Sequence, residues 1–221
     1  KNAGGKYIAY FQSFTNTYGS VEVLAPKFRA AMADEEVVVL SIATRPDCIS
    51  EDMLRLLCEL NKEKPVWIEL GLQTIHERSA AYIRRGYALS VFDDTMKRLT
   101  ACEIEVVVHA ILGLPFESPE DMVETVRYIG KSGAKGIKLQ LLHVLKNTDL
   151  EAEYRKGNFE VLSIEEYIDI LKRCVEVLPE DMIVHRLTGD GNKRELVAPL
   201  WSANKKMVLN EIRKVIREKE E

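Results

Sequence analysis

Residues 68–87 read IELGLQTIHERSAAYIRRGY. With Val66 and Trp67 in front, the run begins as a buried β-strand and passes into a helix. Side chains alternate along a strand, so one face carries Ile68, Leu70 and Leu72 and the other Trp67, Glu69, Gly71 and Gln73. An acid and an amide therefore share a surface that a strand buried on both sides keeps apolar. Two later runs divide in the same way. Along 104–112, Ile104, Val106, Val108, Ala110 and Leu112 oppose a face with Glu105, Val107 and His109. Along 136–144, Ile137, Leu139 and Leu141 oppose Lys138, Gln140 and Leu142. A doubly wound sheet is covered by helices on both faces and is apolar on both. A barrel is covered on the outside only, and its inner face holds polar groups that are paired or that line a ligand cavity. The pattern selects a barrel whose polar lumen binds a polar ligand or closes on itself as a network.

Outward from this stretch the chain alternates strands and helices. Strand-like runs lie at 6–12, 36–44, 66–73, 104–112 and 136–144, with 182–187 as a sixth. Helices are expected at 21–33, from a Ser50 cap to about Leu60, from a Ser90/Asp93 cap to about Cys102, after Ser118-Pro119, and from a Ser163/Glu166 capping box to about Leu178. Helices between strands imply right-handed crossovers and a parallel sheet. No G-x-G-x-x-G opens the first βα turn, which weighs against a dinucleotide-binding fold. The expected architecture is an α/β partial parallel barrel over 1–180. A strand and a basic amphipathic helix from about Ala203 extend it over 181–221.

The chain has 221 residues and a net charge of −4, which gives no global electrostatic case for nucleic acid. No apolar run approaches the ~20 residues that span a bilayer, and the start, KNAGGKYIAY, is not a signal peptide. A cytoplasmic location is expected. The absence of an initiating Met points to a fragment or a processed form. Cys48, Cys58, Cys102 and Cys174 form no C-x-x-C pair, so they are expected to be reduced, small hydrophobes that hold no metal.

Three motifs in one order carry a family resemblance. ELGLQT (69–74), with Arg85 of an R-R-G twelve residues after Gln73, resembles the fourth core strand of radical S-adenosylmethionine (SAM) enzymes. SIATRPDCI (41–49) resembles the strand before it, where relatives read I-E-T-R-P-D or I-E-A-N-P, and HAILGLPFES (109–118) resembles their H-I-M-P-G-L-P strand end. The nearest families in pattern are the Elongator catalytic subunit and oxygen-independent coproporphyrinogen oxidase. LQLLHVLKNTDLEAEY (139–154) and VHRLTGDG (184–191) resemble a bacterial branch of the superfamily.

The resemblance implies a radical SAM type partial barrel with its site at the carboxyl ends of the strands. Gln73, Arg85, His109, Gly113, Leu114 and Leu142 would contact SAM, with Arg85 toward its carboxylate and His109 toward its ribose. Ala43 stands where relatives carry a glutamate. FQSFTNT (11–17) replaces the family's Gly-Gly-Glu, with Gln12 and Ser13 as stand-ins. The C-x-x-x-C-x-x-C that holds the family's [4Fe–4S] cluster is absent, so the first strand and the cluster ligands are expected to precede Lys1. In that reading the full protein makes a 5′-deoxyadenosyl radical that acts on an unknown substrate, a small molecule or tRNA. The polar face offers Lys138, Gln140, His143 and Arg186 to it. The sheet edge at 6–12 would be open to dimerisation.

Two other readings compete. The basic stretch GNKRELVAPLWSANKK (191–206), with Trp201, Arg213, Lys214 and Arg217, suits a non-catalytic RNA-binding domain, or else a solvated helix packed through Met207, Ile212 and Ile216. A barrel aldolase would need a lumen lysine, for which Lys138 is the candidate.

Overall fold

The computed structural model describes residues 5–189 and 191–217, the side chains of 215–217 excepted. Asp190 of VHRLTGDG and the side chains of Ile216 and Arg217 lie outside the described residues. The elements run β1 (Tyr7–Phe11), α1 (Val21–Met32), β2 (Val37–Thr44), α2 (Glu51–Glu63), β3 (Val66–Gln73), α3 (Glu77–Tyr82), α4 (Leu89–Ala101), β4 (Glu105–Leu112), α5 (Pro119–Lys131) and β5 (Gly136–Leu141). They continue with β6 (Val144–Leu145), α6 (Asp149–Arg155), α7 (Ile164–Glu176), β7 (Ile183–Arg186), β8 (Leu196–Ala198) and α8 (Lys205–Arg217). Six strands form one parallel sheet in the order β1-β2-β3-β4-β5-β7. By contact density the chain divides into two compact units. The first runs through Leu72 and takes in Tyr87–His109 and Ser132–Gly136; the second comprises Gln73–Gly86, Ala110–Lys131 and the chain from Ile137.

In the first unit, β1 pairs parallel with β2 and β2 with β3, so that Tyr10 sits opposite Ser41 and Ala43 opposite Glu69. Ile68, Leu70 and Leu72 are wholly buried, as the face argument requires, together with Leu40, Ile42, Phe28 of α1, Leu57 and Leu60 of α2, and Phe92 and Leu99 of α4. Burying each such side chain contributes about 1.5–3 kcal/mol. Ser50 caps α2 by accepting from the Met53 amide at 3.2 Å. Lys64, just past α2, donates to the carbonyls of Met32, Asp34 and Val37 at 2.7–2.8 Å and so ties the end of α1 to the start of β2. β1 is an end of the sheet order, with Tyr7, Ile8 and Tyr10 partly exposed.

Two expectations fail in this unit. Ser90 and Asp93 do not cap α4: they lie inside it, and Ala88, in extended backbone with no capping side chain, precedes it. The buried stripe Phe92, Met96 and Leu99 positions the helix instead. Cys58 and Cys102 are not free thiols. They form a disulfide with a Cα–Cα distance of 5.5 Å, because α2 and the end of α4 lie side by side. Asn61 of α2, which donates to the Cys102 and Glu103 carbonyls, marks the same approach.

The second unit carries the expected caps. Ser118 and Asp121 bond each other reciprocally at the start of α5, and Ser163 and Glu166 form a full capping box on α7. The strand expected at 136–144 stops at Leu141. Val144–Leu145 leaves the main sheet to pair antiparallel with β8. The basic segment packs: Val208 and Ile212 of α8 are buried, Trp201 donates its indole N–H to Leu162 O at 3.0 Å, and its ring lies 5.7 Å from that of Tyr167. Burial pushes the Cys174 thiol up to about 12.

Candidate cofactor and substrate site

On the polar face of the first unit, four adjacent strands each send one group to a common point. Glu69 of β3 is 5% exposed. It accepts from Tyr10 of β1 at 2.5 Å and from Ser41 of β2 at 3.1 Å, and it lies 2.9 Å from Nε2 of His109 on β4. A carboxylate has lone pairs for all three. Sequence reasoning placed Glu69 and His109 on this face; Tyr10 and Ser41 escaped it, since alternation within a strand gives no sign of which hydroxyl on one strand meets an acid on another. The network satisfies the buried charge and fixes the His109 ring.

The loop after β1 holds Gln12 and Ser13, both exposed. Ser13 and Phe14 are both left-handed, with φ of 66° and 63°. Asn16 pins the loop, its amide donating to the carbonyls of Phe11, Ser13 and Ala43 at 3.0–3.3 Å. At the end of β2, Arg45 forms a two-pronged pair with Asp47 at 2.7 and 2.9 Å. The arginine beside it holds the Asp47 carboxyl below its ordinary range. Desolvation, then the Asp47 charge, raise the Cys48 thiol, which leaves it a poor nucleophile at neutral pH.

In the second unit, Gln73 closes β3 in a left-handed conformation, φ 71°, at a cost of roughly 1–2 kcal/mol. Its Oε1 is buried and has no hydrogen-bond partner among the described residues. Arg85 is only 5% exposed, so it is no solvated helix arginine. Its guanidinium donates to Thr74 O at 2.5 Å and pairs with Glu77 at 3.1 Å, which stitches the turn into α3 to the residues after it. Gly113 has φ 89°, and a Cβ there would meet Leu162 at 3.1 Å and Leu142 at 3.8 Å. Leu114 and Leu142 are buried beside it in sequence and space.

Of the proposed substrate residues, Lys138 is buried, while Gln140, His143 and Arg186 are half-buried. His143 is wedged against the loop after β7. A Cβ on Gly189 would come 2.7 Å from its ring, and one on Gly191 2.5 Å. Glu117 was missed altogether: both its carboxylate oxygens are buried without a partner among the described residues, and burial raises its pKa. His76, Asp121 and Glu124 bring candidate ligand atoms within 4.8 Å of one another. However, His76 Nε2 lies 2.9 Å from the Asp121 carbonyl, which can only accept, so this nitrogen donates to the first turn of α5.

The model of the radical SAM superfamily matches residues 1–129, and that of the radical SAM C-terminal domain matches residues 134–218. The chain belongs to the radical SAM superfamily. Among its relatives, uncharacterized protein YtqA of Bacillus subtilis is 45% identical over 210 residues, 95% of this chain and 65% of its own length. Protein YhcC of Escherichia coli K12 is 32% identical over 205 residues, 92% of this chain and 66% of its own. The radical SAM chain thus spans about two thirds of the length of these curated relatives. A structure of Elp3 from Methanocaldococcus infernus with an N-terminal deletion superposes with a TM-score of 0.80 at 18% identity, covering 96% of this chain and 55% of that one. Coproporphyrinogen III oxidase HemN of E. coli gives 0.59 at 16% identity, covering 76% and 39%. These likenesses show the fold, the α/β class of the radical SAM proteins.

Membership carries SAM and a [4Fe–4S] cluster as family traits. The orphaned Gln73 oxygen fits SAM, whose hydroxyls and amine are donors. The cysteines do not fit a cluster: two are joined to each other, and Cys48 and Cys174 lie in different units. Among the described residues no helix is long and apolar enough to cross a membrane.

Proposed function

We propose that residues 1–221 form the SAM-handling part of a radical SAM enzyme whose cluster ligands lie outside them. The observation that supports this reading most is Gln73: a buried amide oxygen without a partner costs about 1–3 kcal/mol, at a strained strand end, where a donor from a ligand would offset the cost. When bound, a reduced [4Fe–4S] cluster would supply the electron, and SAM the carbon group, for radical chemistry on the substrate.

The chain's own residues bind and orient. Gln73 accepts from SAM. Gly113 and Leu114 shape the backbone approach to its base, with Leu142 against them. Gln12 and Ser13 serve its amino-acid end, and His109, held by Glu69, its ribose. Arg85, already bonded to Thr74 and Glu77, acts as a positioning residue for the turn that carries Gln73. Lys138, Gln140, His143 and Arg186 face the substrate, a small molecule or RNA.

The test uses the whole protein with its cluster reconstituted. Addition of a strong reductant and SAM should yield 5′-deoxyadenosine, detected by chromatography, and Gln73→Ala should weaken SAM binding about tenfold, one lost hydrogen bond. No 5′-deoxyadenosine under reducing conditions would overturn the enzymatic reading. Unchanged affinity in Gln73→Ala would remove that residue from the site.

A further inference from the structure

The loop between β1 and α1 holds two aromatic side chains in the open. Phe14 is 97% exposed and Tyr18 81%. The loop that carries them is tightly bonded. Besides the three bonds from the Asn16 amide, the Asn16 N–H reaches Ala43 O at 3.1 Å. The Thr17 hydroxyl, 3% exposed, lies 2.5 Å from that of Thr44 and donates to Cys48 O at 2.7 Å. Two successive left-handed residues, Ser13 and Phe14, each cost roughly 1–2 kcal/mol. A rigid, strained loop that presents bare rings is a built feature rather than an untidy surface.

The rings stand over a groove of about 430 Å³ lined by Phe14, Thr15, Tyr18, Arg45, Asp47 and Cys48. Its volume lies within the roughly 300–1,000 Å³ typical of small-ligand sites. Arg45 is held by both its bonds to Asp47, and its guanidinium lies 5.4 Å from the Tyr87 ring centroid. The 46–49 turn is braced from α4, where Thr95 donates to Pro46 O and Arg98 to Ile49 O, both at 3.1 Å. The loop backbone and the guanidinium–carboxylate pair, which carries no net charge, are therefore preorganised, and Phe14 and Tyr18 add two exposed rings to them.

We propose that this groove binds a nucleobase. Phe14 and Tyr18 offer faces for a flat ring to stack on, and Thr15, Arg45 and Asp47 offer donors and acceptors to its edge. A hydrocarbon ring would desolvate Thr15 and the Arg45–Asp47 pair without offering them a further bond, at a cost a base edge avoids. With Asp47 neutralising Arg45, the groove recognises the base rather than a phosphate. The site goes beyond the proposed cofactor contacts and does not depend on them.

Binding is measured on the whole protein, without cluster, by titration with uridine, guanosine, single-stranded hexauridylate and, as a ring without a base edge, N-acetylphenylalaninamide. We expect at least one nucleoside to bind, and Phe14→Ala and Tyr18→Ala each to weaken it by about fivefold or more, the scale of one lost stacking partner. Leu200→Ala, at a side chain 70% exposed in the second unit, should leave it unchanged. Tighter binding of hexauridylate than of uridine identifies a strand as the source of the base; equal binding identifies a free nucleoside. The proposal is overturned if neither nucleosides nor the oligomer bind, if both ring variants bind as the parent does, if N-acetylphenylalaninamide binds equally well, or if SAM displaces the nucleoside. If an alanine variant loses its circular dichroism spectrum, Phe14→Leu and Tyr18→Leu, which keep bulk without a ring, are judged by the same criterion.

Discussion

His109 Nε2 lies 2.9 Å from Glu69 Oε2, and neither partner is more than one-sixth exposed, at 16% and 6% of the side chain. The pair anchors a network in which Tyr10 and Ser41 also depend on Glu69. Glu69→Leu removes the acceptor of three groups at once. We expect it to lower stability by about 1–3 kcal/mol or more, read as a fall in the urea midpoint at unchanged slope. Tyr10→Phe, which removes one donor and leaves the acid its contacts with Ser41 and His109, should cost about 1 kcal/mol. Equal losses in the two variants would show that Glu69 is not the hub.

The Cys58–Cys102 bond closes a loop with a sequence separation of 44. Under denaturing, non-reducing conditions a thiol reagent should find two thiols, Cys48 and Cys174, and four after reduction. Reduction should lower stability by about 2–4 kcal/mol. Four reactive thiols before any reductant is added would refute the pairing.

Arg85→Ala should destabilise the second unit before it affects any ligand, because it leaves the Thr74 carbonyl and the turn into α3 unsupported. The expected loss is about 1.5–3 kcal/mol, that of a charge-assisted bond. Arg85→Lys should recover only part, since an ammonium cannot reproduce the fork. Full recovery by lysine would mean that charge alone matters there.

Glu117 gives a pH signature. Burial raises its carboxyl above the ordinary 4.5. The folded protein then holds this proton more tightly than the unfolded chain, so its contribution to stability falls as pH rises from 4.5 through the raised value. Glu117→Gln should be more stable than the parent at neutral pH, with the advantage shrinking toward about pH 4. An advantage independent of pH would place the effect elsewhere.

How much could be read from the chain depends on how long each signal persists. β3 was legible to the residue, Val66–Gln73, because eight positions of alternation carry both the strand and its faces. α2 and α7 were legible because Ser50 and Ser163 stand where their hydroxyls meet the first-turn amides. β6 and β8, of two and three residues, are too short for any period to register. α4 starts without a cap, so Ser90 gave a false one. In the candidate site, Gln73 and His109 were visible through alternation. The unpartnered state of Gln73, the bonds that occupy Arg85 and the Cys58–Cys102 pairing arise only when distant segments meet.

The loop after β7 also says which substitutions can be made singly. The three nearest atoms to a Cβ at Gly191 all belong to the His143 imidazole, whereas at Gly189 one of them is the backbone carbonyl of Leu141, at 3.2 Å. Position 191 is therefore hostage to a side chain and position 189 in part to the main chain. A library that varies 143 together with 191 should recover pairs in which a smaller residue at 143 permits alanine at 191. No choice at 143 should fully release 189, so glycine there would outlast the histidine that it touches.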